Sequence, residues 1–271
     1  CSPQRAAWLT VQRPFKSVPS LTDFPSLGTL MQQAGYETIY YGKWHVAKTG
    51  NKGPRPEDWH GFETAFNNNI DAKTEARTIQ ALRQKHLRPF FMVTSLHNPH
   101  DCCELARKIG GWQTGTSFHK GELEPDINVP LSRCPSMPAN AAETTPCPQV
   151  MLNQRPLLNT NYVSIRPTGS WGDAEWRRYR YGYARLVENV DARLGRILDA
   201  LDAEGLRDNT IIVFMSDHGD GLGAHGWNQK HAFYEEMART PFIVVDPRGR
   251  AGTTSTELVN SGIDYLPTVL D

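Results

Sequence analysis

Residues 210–220 read Thr-Ile-Ile-Val-Phe-Met-Ser-Asp-His-Gly-Asp. An uninterrupted apolar run of this length is typical of a strand buried on both faces, as in a parallel sheet. Asp217 and His218 follow directly after the run. Ligands of open α/β sheets bind beyond the carboxyl ends of the strands. This stretch therefore predicts the fold class and also the edge of the sheet at which a functional site lies.

Further apolar or β-rich runs alternate with helical patterns along the chain. Strands are predicted at 37–41, 89–96, 210–215 and 241–245, and helices at 26–34, 72–87, 175–203 and 263–270. Residues 104–172 are rich in proline and show little periodicity, so we expect a long irregular excursion there. Strands that alternate with helices indicate an α/β fold, with a mostly parallel central sheet flanked by helices.

The charge balance restricts the possible functions. The chain has 271 residues, with 29 Lys plus Arg and 29 Asp plus Glu, so the formal net charge is zero. This balance argues against a general nucleic-acid binder, which needs a net basic surface. No apolar run approaches the ~20 residues that cross a bilayer, so no membrane span is predicted.

The cysteines are odd in number and match no common zinc spacing: Cys1, Cys102, Cys103, Cys134 and Cys147.

Polar side chains follow three of the predicted strands. They come together at one site if the strands are neighbours. An Asp-His pair after a strand offers metal ligands, and its carboxylate favours a hard cation such as calcium or magnesium. Lysines near such a cation suit an anionic substrate, although turns and solvated surfaces use the same residue types. The set indicates a site for a tetrahedral oxyanion: Lys43, His45, His97, His100, Asp217, His218 and Lys230.

The first five residues, Cys-Ser-Pro-Gln-Arg, match Cys-x-Pro-x-Arg. Further motifs follow in order: GKWH at 42–45, Pro99-His100, SDHG at 216–219, KHAFYEEMARTP at 230–241 and IDYLPT at 263–268. Together these motifs resemble the sulfatase family, hydrolases of the alkaline-phosphatase superfold. The resemblance covers the chain except for residues 104–172.

The resemblance implies an unusual nucleophile. In sulfatases a separate maturation enzyme oxidises the motif cysteine, here Cys1, to formylglycine. The hydrated aldehyde has two hydroxyl groups: one attacks sulfur, and the other then expels sulfate as the aldehyde re-forms. A divalent cation, calcium or else magnesium, lowers the pKa of the attacking hydroxyl and neutralises the sulfate oxygens.

The family's catalytic roles transfer to five further residues. By resemblance, Arg5 holds the formylglycine, and Lys43 bridges nucleophile and sulfate. His45 orients the formylglycine hydroxyls. His100 protonates the leaving oxygen, and Lys230 is the second lysine that binds sulfate.

The resemblance also implies a cation site and a substrate pocket. Asp217 and His218 match the metal-binding pair that follows a strand, with Cys1, as formylglycine, on the same cation. His97 and His225 are additional pocket residues. The implied substrate-binding set is His97, His100, His225 and Lys230.

Two parts of the family pattern are missing from the chain. Sulfatases place a first strand with two metal-binding aspartates before the cysteine motif, and a smaller subdomain at the carboxyl end. We therefore expect residues 1–271 to be a partial sulfatase catalytic domain, truncated at both ends. Family habit implies a periplasmic or secreted protein, although the sequence itself leaves the localisation unknown.

These features predict a sulfuric-ester hydrolase that acts on a sulfated small molecule or glycan. Tryptophan side chains are candidates for a sugar-stacking cleft: Trp8, Trp44, Trp112, Trp171 and Trp227. One alternative is a phosphonate or phosphate diester hydrolase on the same scaffold. Another is a truncated, non-catalytic chain that at most binds anions.

Overall fold

The computed structural model describes residues 2–10, 25–46, 60–111, 122–143, 168, 171–230, 232–249 and 251–270. The chain divides into two compact units that are each built from separated segments. The first unit contains Cys1–Leu96, Leu194–Asp217 and Pro241–Asp271. The second unit contains His97–Arg193 and His218–Thr240.

A parallel sheet of three strands forms the centre of the first unit. The strands are β1 (Glu37–Gly42), β2 (Thr64–Asn67) and β3 (Phe90–Ser95), in the order β2-β1-β3. β1 agrees with the strand predicted at 37–41 and is buried over nearly its whole length, with Ile39, Tyr40 and Tyr41 in apolar clusters. β2 was not predicted, because its four residues are partly exposed and too short to show a pattern.

Helices from the amino-terminal segment of the first unit pack around this sheet. They span Ser2–Thr10, Leu27–Gln33 and Asp71–Leu82. Ser26 caps the second helix by accepting a hydrogen bond from the backbone N–H of Thr29. Gly35 follows that helix with φ of +88°, a conformation that favours glycine.

The helix predicted at 72–87 ends earlier, at Leu82. The imidazole of His86 lies with Nε2 3.0 Å from the carbonyl oxygen of Ala81, in the last turn of this helix. Its Nδ1 lies 2.8 Å from the carboxylate of Glu37. His86 therefore bonds to the helix end from outside, and the segment before Pro89 is not helical.

The prediction of a mostly parallel sheet is confirmed by β1, β2 and β3, whereas the last two strands pair differently. β4 (Ile212–Met215) and β5 (Phe242–Val245) pair antiparallel, from Ile212 opposite Val245 to Met215 opposite Phe242. Both were predicted in the right place. A continuous apolar run predicts burial but not strand direction, and side chains of β5 such as Ile243 are in fact about half exposed.

The second unit is built around a long helix, Asp173–Ala203, whose residues up to Arg193 belong to it. This helix agrees with the prediction for 175–203. It packs against the shorter helix Cys102–Ile109, and Leu105 and Leu186 are fully buried in the apolar cluster that the two helices share. The shorter helix corrects the prediction of an irregular segment starting at residue 104.

The predicted helix at 263–270 is present as Tyr265–Leu270, and Leu266 lies in the same apolar cluster as Ala6 and Leu9. No helix among the described residues combines the length and apolar character that a membrane crossing requires.

Candidate active site

Lys43 lies at the carboxyl end of β1, where a close approach to β3 fixes the backbone. Gly42 has φ of +103°, and a Cβ atom added there would lie 2.0 Å from the carbonyl oxygen of Ser95. The backbone N–H of Lys43 donates to that same carbonyl at 2.9 Å. Lys43 is buried, and His45 follows with φ of +44°. The glycine of the GKWH motif is therefore required by the distance between the two strands.

Arg5, on the first helix, holds this strand end in place. Its Nε donates to the carbonyl oxygen of Trp44 at 2.9 Å, and its Nη2 donates to the Tyr40 hydroxyl at 2.7 Å. The same Nη2 contacts the carbonyl oxygen of Lys43 and the hydroxyl of Ser95. A guanidinium carries five N–H donors in a planar fork, which suits several acceptors at once. Arg5 therefore positions the motif that contains Lys43.

Asp217 follows β4 and lies beside the same arginine. Its Oδ2 is 3.7 Å from Nη1 of Arg5, and both side chains are largely buried. Three residues that the sequence placed in one site, Arg5, Lys43 and Asp217, are thus brought together within the first unit. The sequence alone did not predict which groups Arg5 contacts.

His218 opens the second unit. Its Nδ1 lies 2.8 Å from the carbonyl oxygen of Gly219. Since a carbonyl only accepts hydrogen bonds, Nδ1 carries the proton, and in the neutral ring Nε2 carries the lone pair. A neutral imidazole with one nitrogen bonded to a carbonyl is the form in which histidine ligates metals.

The loop after β3 brings His97 and His100 together, with their ring centroids 4.3 Å apart. Nε2 of His97 lies 3.3 Å from Oδ1 of Asp101, and both side chains are almost fully buried. Asp101 was not singled out in the sequence, although it stands in the same HNPHD segment.

The loop before Lys230 is organised by Asp220, a buried carboxylate that was not singled out from the sequence. Asp220 accepts hydrogen bonds from the Tyr179 hydroxyl at 3.0 Å and from the backbone N–H groups of Leu222 and Gln229 at 2.9 and 3.1 Å. Burial raises the pKa of this carboxyl above its usual value, and the hydrogen bonds oppose the rise. The hydrogen bond to the buried Asp220 carboxylate therefore fixes the backbone at Gln229, one residue before Lys230.

A pair of buried thiols adjoins Asp220. The thiol of Cys102 lies 3.6 Å from the Asp220 carboxylate, and the side-chain amide of Gln229 donates to the sulfur of Cys103 at 2.7 Å. Hydrogen bonding from Cys102 lowers the pKa of Cys103, with further lowering from Gln229 and from the positive charge of Lys230. The Lys230 ammonium therefore acts electrostatically on the environment of these thiols.

His225 is held by contacts within the second unit. Its ring stacks on Tyr234 with centroids 3.9 Å apart. Nδ1 lies 3.0 Å from the carbonyl oxygen of Glu143, and Nε2 lies 3.2 Å from the amide nitrogen of Asn140. Both ring nitrogens thus contribute to the local fold, and a role for His225 in binding substrate stays a prediction.

Roles were also predicted for Cys1 and for several tryptophan side chains. Cys1 lies outside the described residues, as does Trp112. The sugar-stacking prediction is wrong for Trp44 and Trp227, which are only 1% and 3% exposed and pack in apolar clusters. Aromatic content alone does not separate a stacking surface from a core.

The sequence model of the family described as Sulfatase matches residues 1–271. The chain therefore belongs to the sulfatase family. Among curated proteins it is 26% identical over 256 residues to the Delta 4,5-hexuronate-2-O-sulfatase of Bacteroides thetaiotaomicron, which covers 91% of this chain and 50% of that protein.

Solved structures share the fold of this chain. A 2-O GAG sulfatase superposes with a TM-score of 0.75 at 24% identity, covering 99% of this chain and 59% of that chain. The phosphonate monoester hydrolase of Agrobacterium radiobacter superposes with a TM-score of 0.65 at 20% identity, covering 91% and 58%. The fold is thus alkaline-phosphatase-like, and the chain spans about half the length of the relatives it matches.

Proposed function

We propose that the whole protein hydrolyses a sulfate ester on a carbohydrate, with formylglycine formed from Cys1 and a bound divalent cation. The observation that supports this proposal most directly is the contact between Arg5 and Asp217. It joins the Cys-x-Pro-x-Arg motif to the SDHG motif, two segments that lie more than 200 residues apart in the sequence. In the net reaction water replaces the alcohol on sulfur, so that the products are the alcohol and sulfate.

The donor set present in the chain fits a hard cation. Asp217 offers carboxylate oxygens in a largely buried position, and His218 offers Nε2. Calcium prefers oxygen ligands, six to eight of them, so Asp217 is the stronger of the two ligands and further oxygen donors are needed. When bound, the cation and formylglycine supply an activated hydroxyl nucleophile and neutralise charge on the sulfate.

The chain's own residues position and neutralise the substrate. We assign Lys43 and Lys230 to the sulfate oxygens, where ammonium groups stabilise the charge that develops during S–O cleavage. His45 orients the nucleophile, and His100 donates a proton to the leaving oxygen. Arg5 positions these groups by donating a hydrogen bond to the Lys43 carbonyl and by pairing with the Asp217 carboxylate.

The relatives support a carbohydrate substrate. The curated relative acts on a hexuronate 2-O-sulfate, and the superposed sulfatase is described as a 2-O GAG sulfatase. We therefore propose a sulfated sugar, free or within a glycan, as the substrate.

A matched pair of cysteine variants tests the function. The full-length protein, produced with a formylglycine-generating enzyme, is assayed for sulfate release from a panel of sulfated monosaccharides and disaccharides. We expect release by the unaltered protein, aldehyde at residue 1 by peptide mass spectrometry, and loss of release in Cys1→Ala. Cys134→Ala serves as the control because this residue is a buried thiol, with Sγ 3.9 Å from the backbone carbonyl of Pro130, and has no role in the proposed mechanism. Activity with only a thiol at residue 1 would contradict the formylglycine mechanism.

A second candidate is a phosphonate monoester hydrolase, favoured by the structural superposition on such an enzyme. Sulfate and phosphonate monoesters are both tetrahedral anions with a single negative charge at neutral pH. Lysines and a divalent cation bind either one, so these groups alone do not separate the two activities.

A further inference from the structure

The loop between β3 and the helix Cys102–Ile109 contains a cluster of metal-binding side chains that is separate from the proposed hard-cation ligands. The candidate ligand atoms of His97, His100 and Asp101 all lie within 4.8 Å of one another. His97 and Asp101 are buried, and His100 is half-buried. The cluster shares no residue with Asp217 and His218.

The backbone holds this cluster in a compact turn. The N–H of His100 donates to the carbonyl of His97 at 3.3 Å, and the N–H of Asp101 donates to the side chain of Asn98 at 3.1 Å. Asp101 is also the residue directly before the helix Cys102–Ile109. Local structure within the second unit therefore holds the three side chains close together, with their candidate ligand atoms near enough to converge on one metal ion.

The donor types favour a borderline transition metal over calcium. Two imidazoles and one carboxylate form a ligand set typical of zinc, whereas calcium takes oxygen ligands. In a tetrahedral site with bonds of about 2.0–2.1 Å, two ligand atoms lie roughly 3.3–3.4 Å apart. The distance from Nε2 of His97 to Oδ1 of Asp101 is 3.3 Å, which matches this edge.

We infer that His97, His100 and Asp101 form a binding site for Zn²⁺ or a similar first-row divalent ion. One consequence rests on the proposed function, in which His100 protonates the leaving oxygen. A metal ion bound to His100 uses the imidazole lone pair, so that the ring cannot take up the proton that it would donate. Zinc bound there inhibits sulfate release even when calcium is saturating.

Binding is tested without reference to activity. The full-length protein is titrated with Co²⁺ in excess calcium, and the visible bands of tetrahedral cobalt are recorded, followed by displacement with Zn²⁺. We expect one equivalent of tetrahedral cobalt. Because loss of a mere outer-shell partner already weakens metal sites by about 10–100-fold, His97→Gln and Asp101→Asn should each weaken binding at least that much.

The control is His86→Gln, which removes a histidine that also pairs with a carboxylate, Glu37 at 2.8 Å, but has no second imidazole in that pair. It should leave cobalt binding unchanged. His100→Gln provides a further variant at a more exposed position, should the buried substitutions fail to fold. No tetrahedral cobalt, or binding that survives all three substitutions in folded protein, would overturn the site.

Inhibition is measured separately as zinc dependence of sulfate release. We expect the zinc inhibition constant to weaken in Asp101→Asn in parallel with cobalt affinity. Cobalt binding without inhibition would remove the regulatory consequence and keep the site. Absence of any sulfate release would contradict the proposed function and leave the cobalt result to decide the site.

Discussion

At the scale of single residues, buried charged groups fix the backbone from which the proposed sulfate-binding lysines project. Arg5 bonds the carbonyl groups around Lys43, and Asp220 bonds the N–H of Gln229, next to Lys230. Removing one partner from such a buried network leaves its donors or acceptors unsatisfied, which costs more than the bond itself contributes. These groups are therefore positioning residues.

Removal of the Tyr179 hydroxyl tests the Asp220 network. Tyr179→Phe keeps the ring, which is fully buried, and deletes the donor to Asp220. We expect the free energy of unfolding to fall by about 1.5–3 kcal/mol, the range for hydrogen bonds to charged groups. Tyr181→Phe on the same helix is the control. Urea unfolding of both variants measures the difference, and equal losses would refute the anchoring role of the Asp220 bond.

The two lysines are tested in the full-length enzyme. Removing one donor from an oxyanion site typically lowers the rate by about a hundredfold or more. Lys43→Ala and Lys230→Ala should each lower kcat for a sulfate ester by that factor, while Lys73→Ala, on an exposed position of the helix Asp71–Leu82, should not. Steady-state kinetics provides the measurement. Near-normal turnover in either lysine variant would remove that residue from the site.

At the scale of elements, the spacing of β1 and β3 determines where the GKWH motif begins. The strands pair in parallel from Glu37 opposite Phe90 to Gly42 opposite Ser95. A side chain at position 42 would meet the β3 backbone, so the strand ends and the loop after them are fixed together.

Substitution of Gly42 tests this constraint. Gly42→Ala adds a Cβ against a backbone oxygen and forces a residue with a side chain to positive φ. Gly35→Ala is the matched control, because Gly35 also has positive φ but no atom within 4 Å of the added Cβ. We expect the control to cost about 1–2 kcal/mol of stability, the left-handed penalty alone, and Gly42→Ala at least about twice that. Equal losses in urea unfolding would show that strand spacing is not limiting.

Local patterns predicted most of these elements but not their pairing. Cys102, Leu105, Ala106 and Ile109 follow helical spacing, yet the helix is short and lies in a segment otherwise rich in proline and glycine. The direction of β5 depends on where the chain returns after residue 240, which no local period encodes. Contacts between segments far apart in the chain determine the direction of β5 and stabilise the short helix.

At the scale of the whole molecule, the family motifs identified more of the site than composition or periodicity. Arg5, Lys43 and Asp217 were assigned from motifs, and the structure brings them together. Tyr179, Asp220 and Asp101 were not assigned, since tyrosines on helices and acidic residues in loops are common in any sequence. Their importance comes from burial and hydrogen bonding, which depend on segments far apart in the chain.

The central proposal is that the whole protein hydrolyses sulfate esters, on a fold that is similar to that of a phosphonate monoester hydrolase. The most direct measurement compares kcat/KM of the matured full-length enzyme for a sulfate monoester and a phosphonate monoester that share the same leaving alcohol. A shared alcohol removes differences in leaving-group acidity and in contacts beyond the transferred group. We expect kcat/KM to be at least about tenfold higher for the sulfate ester, equivalent to about 1.4 kcal/mol of preferential transition-state stabilisation. A higher kcat/KM for the phosphonate ester would contradict the account.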